Sequence, residues 1–123
     1  MPLSKLLRKE FDFISKSGLA KYVNDTELLA RLRKLGGDLE TEDAQLGIPE
    51  VIWQLVVEGR IGEGLYLSEV YRLAKELEGI EGDTLNASET LFRRAEIKLC
   101  FVFGLYVINS VLLKKNTDEW IAE

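Results

Sequence analysis

The stretch LCFVFGLYVINSVLL, running from Leu99 to Leu113, contains fifteen residues without a charge, and its conformation decides the fold. Three structures accommodate such a run. As a membrane-spanning helix it would extend only about 22 Å at roughly 1.5 Å per residue, against a hydrocarbon layer of about 30 Å. Asn109 and Ser110 weaken that reading further, although Arg93, Arg94 and Lys98 before it and Lys114 and Lys115 after it resemble membrane-flanking charges. As a strand, Phe101 to Ile108 would be apolar on both faces and would need a sheet covered on both sides. The only other strand-like segment is Val51 to Val57, so the alternative is an α+β fold with a small sheet from 51–57 and 101–108. As a helix, the run is apolar all round because other helices enclose it. Leu91, Phe92, Ala95 and Leu99 lead into it with amphipathic spacing. The reading adopted is an all-α, compact bundle of about five helices around a long, largely buried C-terminal helix.

Enclosing this helix makes a heavy demand on a short chain. It requires nearly every other helix, or a second subunit, so a homodimer through the C-terminal helix is an expectation. Tyr106 and Asn109 need hydrogen-bond partners wherever they are buried.

The remaining segments supply helices. Leu3, Leu7, Phe11 and Ile14 form one stripe in Pro2 to Ser17, with Gly18 as a stop. Asn24 and Glu27 have the outline of a capping box ahead of Leu28, Leu29, Leu32 and Leu35, and Gly36-Gly37 ends that helix. A short helix is expected from Thr41 to Leu46 and another from Pro49 to Glu58. Gly59 to Gly64 reads as a connector, followed by a helix from Leu65 to Glu78. Asn86 and Glu89 open the last helix, which runs to about Lys115, and Trp120 docks in a final turn.

Composition bounds the rest. The 123 residues, 46% of them hydrophobic, fit one helical domain spanning 1–123 and exclude a disordered chain. The net charge of −5 is uneven: residues 1–37 carry +4, residues 38–90 carry −10 and residues 91–123 carry +1. A lone cysteine, Cys100, excludes an internal disulfide and a redox pair, and its apolar neighbours make it a core residue. No secretory signal is visible at Met1-Pro2-Leu3-Ser4-Lys5, so a cytoplasmic setting is expected.

Chemistry-bearing patterns are scarce. The chain has no histidine, which removes the Ser-His-Asp and Cys-His arrangements and the histidine zinc sites. Gly59-Arg60-Ile61-Gly62-Glu63-Gly64 lacks the Gly-Lys-Ser/Thr ending of a phosphate loop, and Glu63 would repel phosphate. Glu40-x-x-Asp43 and Glu78-x-x-Glu81 have the spacing of a Mg²⁺-dependent, all-helical nucleotide hydrolase, but Gly79 interrupts the second pair. No cofactor or metal is expected.

A helix–turn–helix across Pro49 to Leu77 would present Glu69, Glu76 and Glu78 to DNA, which opposes phosphate contact. The better nucleic-acid surface is the basic N-terminal third, with Lys5, Arg8, Lys9, Lys16, Arg31, Arg33 and Lys34. By elimination, the sequence points to a non-enzymatic protein-interaction module, a small acidic adaptor, inhibitor or immunity-type protein, or chaperone-like accessory factor. Its expected contacts to a basic protein partner are Glu40, Glu42, Asp43, Glu63, Glu69 and Glu76. Trp53 and Tyr66 are aromatic anchors if exposed and core residues otherwise.

Overall fold

The structure, a computed structural model, describes residues 8–35, 46–78 and 89–112. In chain order it contains α1 (Arg8–Ser15), a 3₁₀ turn (Gly18–Tyr22), α2 (Thr26–Arg33), α3 (Ile48–Val57), α4 (Glu63–Glu78) and α5 (Glu89–Val107). A π-helical turn, Ile108–Leu112, continues α5. The described residues are thus an all-α bundle, and both segments of the alternative sheet, 51–57 and 101–108, are helical.

Helix α5 lies at the centre. Leu99, Phe103 and Val107 are fully enclosed, and Cys100, Val102, Leu105 and Ile108 are buried beside them. Helices α3 and α4 pack along it and α1 covers a further side. The enclosure expected to take nearly every other helix, or a second subunit, is supplied in large part by α1, α3 and α4. By length and composition, Glu89–Leu112 is apolar enough to cross a membrane, yet half of its most apolar window is buried inside the fold. A core helix has the same composition.

Close approach tightens this centre. A Cβ on Gly104 would collide with the Cγ2 of Ile48, so glycine lets the first turn of α3 seat directly on α5. Phe11 of α1 meets Tyr106 edge-on, with ring centroids 5.9 Å apart and planes at 74°. The expectation for buried Asn109 is not met: its Oδ1 is buried with no hydrogen-bond partner among the described residues.

Local chemistry moves several boundaries. Asp25, not Asn24, caps α2: its extended backbone brings Oδ1 to accept from the Leu28 amide at 2.9 Å. Asn24 sits in the preceding turn, and Glu27 reaches Arg31 in place of closing a capping box. Ser17 organises the 3₁₀ turn, accepting from the Leu19 amide at 3.2 Å and donating to the Ile14 carbonyl at 2.8 Å. Helix α4 starts at Glu63, two residues before the expected Leu65, because the Tyr66 amide already donates to the Gly62 carbonyl at 2.9 Å. Gly59, at φ +80°, makes the turn that ends α3. The Gly36-Gly37 stop, most of the Thr41 to Leu46 segment, the Asn86 start, the extension to Lys115 and the Trp120 turn lie outside the described residues.

Candidate interaction face

Helix α3 has an apolar surplus. Of its ten residues, IPEVIWQLVV, the inward set Ile48, Ile52, Leu55 and Val56 falls at i, i+4, i+7 and i+8 and is buried. That spacing leaves Trp53 and Val57 on the opposite side, in line with Glu50 and with Leu46 just ahead of the helix. Leu46 is 74% exposed, Val57 59% and Trp53 44%. Ile97 of α5, 54% exposed, borders the same side.

Between the two helices runs a depression of about 270 Å³, walled by Pro49, Glu50 and Trp53 on α3 and by Arg93, Glu96 and Ile97 on α5. Cys100 forms part of its lining. Ile48 meets Gly104, whereas Trp53 shares the depression with residues 93–100, so α3 and α5 run antiparallel. Trp53 is exposed, and Tyr66 is a core residue.

Beneath the depression lies a hydrogen-bonded group that the sequence did not reveal. Tyr66 Oη donates to Glu96 Oε2 at 2.6 Å and lies 3.5 Å from Cys100 Sγ. Burial raises the Tyr66 phenol well above its usual range, and the thiol of Cys100 and the carboxylate of Glu96 reinforce the shift. Burial likewise pushes the Cys100 thiol up to about 12, against an opposing hydrogen bond from Tyr66. A thiol held in that state is protonated at neutral pH and is not a nucleophile. The group's effect is to fix Glu96 at the edge of the depression.

Among the described residues, the acids expected to meet a partner do not assemble into one surface. Glu63 is exposed at the start of α4, and Glu76 is exposed beside a second hollow lined by Lys9, Glu10 and Lys98. Glu69 departs from its expected exposure: it is 6% exposed and bonds to Arg72 at 2.9 Å. Its neighbour Arg72 in turn covers the ring of Phe13, 4.2 Å from the centroid, which draws the pair against α1. Glu40, Glu42 and Asp43 lie outside the described residues.

The basic set is also divided. Arg31 is occupied by two carboxylates, bonding to Glu27 at 2.8 Å and to both oxygens of Glu58 at 2.8 and 2.6 Å. The hydrogen bond from Arg31 holds the Glu58 carboxyl below its ordinary range. Lys16 pairs with Asp12 at 3.1 Å. Arg8 and Lys9 are exposed on α1, and Arg33 and Lys34 at the end of α2, while Lys5 lies outside the described residues. Among the described residues, no three His, Cys, Asp or Glu side chains are grouped to hold a metal ion. No protein-family model, curated protein or solved structure matches the chain.

Proposed function

We propose that this chain is a non-catalytic protein-interaction module whose contact face is the outer side of α3 with the adjoining edge of α5. The observation that carries the reading is the alignment of Leu46, Trp53 and Val57 on one exposed stripe, beside the exposed Ile97. Isolated apolar side chains on a surface need no explanation, but an aligned set with a central tryptophan has the composition of an interface core. The exposed Glu50 and Arg93 give it a charged rim, as in other protein contacts. The buried, protonated Cys100 supports a role without nucleophilic catalysis.

Site-specific photo-crosslinking tests this reading in cells of the native host. A photoreactive side chain at position 53 or 97 is expected to give discrete protein adducts, and one at exposed Ser15 on α1 is expected to give few. Equal adduct patterns at all three positions would overturn the assignment of the face.

A further inference from the structure

We infer that the α3–α5 face binds a second copy of this chain through a two-fold symmetric contact; this rests on the reading of that face as a contact surface. A two-fold interface must be self-complementary, because the same patch faces itself after rotation. The α3–α5 face meets that condition in both its apolar and its charged parts. With α3 antiparallel to α5 and Ile48 level with Gly104, Glu50 stands level with residue 102. Arg93 lies nine residues further along, roughly 13 Å away at about 1.5 Å of rise per residue. Trp53 and Ile97 fall between the two.

The face therefore runs from a negative end at Glu50 to a positive end at Arg93, and its middle is apolar at Trp53 and Ile97, with the Glu96 carboxylate held by Tyr66 at the edge of the depression. Rotation by 180° about an axis through its middle lays Glu50 of one copy against Arg93 of the other, twice. It also stacks the Trp53–Ile97 surfaces on one another. Both end charges are available: among the described residues, neither the Glu50 nor the Arg93 side chain takes part in a hydrogen bond or ion pair, and both residues are exposed. The other carboxylates nearby are engaged, Glu96 by the Tyr66 hydroxyl and Glu58 by Arg31. The symmetric contact thus lies on the outer side of α3 and the adjoining edge of α5 that carries Arg93 and Ile97, while the buried core of α5 takes no part.

Sedimentation equilibrium of the full chain, with two charge-reversal variants, tests the proposal. At 100 µM the wild type is expected at about twice the 14.0 kDa chain mass. Glu50→Arg and Arg93→Glu each place like charges opposite one another and are expected to weaken self-association at least tenfold. In an equimolar mixture, both end positions are basic in the first variant and acidic in the second, so every contact between unlike chains again joins opposite charges. The mixture is expected to recover the two-chain mass. Only a contact between chains gives recovery on mixing, since a contact within one chain would need both changes in the same molecule. Unchanged far-ultraviolet circular dichroism shows that both variants fold. A wild type that stays at one-chain mass, or a mixture no heavier than its components, overturns the proposal. If position 53 still crosslinks to a different protein, the interaction reading survives; if it crosslinks to nothing, that reading falls as well.

Discussion

At the scale of single residues, burial decides what each functional group can do. Cys100 and Tyr66 are both ionisable and both sit where ionisation is costly, so their protons are held more tightly in the folded chain than in the unfolded one. For Cys100 the ordinary value is 9.0 and the folded value about 12. The stabilisation is fully present below pH 9 and is lost as pH rises towards 12. Thermal melts are expected to be insensitive to this pair up to pH 9 and to fall in midpoint above it. Cys100→Ala removes one of the two protons at stake, so its midpoint should fall less steeply between pH 9 and 11. Parallel slopes for the variant and the wild type would contradict the assignment. The burial of Cys100 was legible from its apolar neighbours, but its pairing with Tyr66 was not, because the two are thirty-four residues apart and share no pattern. Glu69 shows the converse: residue type suggested exposure, and pairing with Arg72 permits burial.

At the scale of elements, apolar excess has two different outcomes in this chain. From Leu99 to Val107, helix α5 is apolar on all sides and is largely buried, as its composition required. Helix α3 is apolar on two sides and is covered on only one. That ambiguity made Val51 to Val57 resemble a strand, and it is a trace in the sequence of the proposed contact face. Trp53 was recognisable as a candidate anchor, but Leu46, Val57 and Ile97 were not, because no local pattern says which apolar side a helix turns outward. The junction of the two helices depends on Gly104. Gly104→Ala places a methyl group against Ile48 and is expected to destabilise the fold by about 1–3 kcal/mol. Ile48→Ala alone is expected to cost about 2–5 kcal/mol through the space it leaves. In the double variant the new methyl occupies part of that space, so urea unfolding should show a loss smaller than the two single losses combined. Strict additivity would mean that Gly104 and Ile48 do not meet.

At the scale of the whole molecule, the all-α class and the central place of α5 followed from Leu99 to Leu113, since Val51 to Val57 was the only other strand-like segment and could not by itself build a sheet covered on both sides. The subunit arrangement did not follow in the same way. The expectation of a dimer came from the demand of α5 for cover, much of which α1, α3 and α4 supply within one chain. Among the described residues, the outer side of α3 is an exposed apolar surface, one that only tertiary packing defines. Its exposure in solution can be read residue by residue with hydroxyl-radical labelling at 100 µM, comparing the wild type with Glu50→Arg. If this face is the contact surface between two copies, labelling of Trp53, Val57 and Ile97 is several-fold lower in the wild type than in the variant, while Leu29 on α2 labels equally in both. Equal labelling of Trp53, Val57 and Ile97 in the two proteins would contradict it.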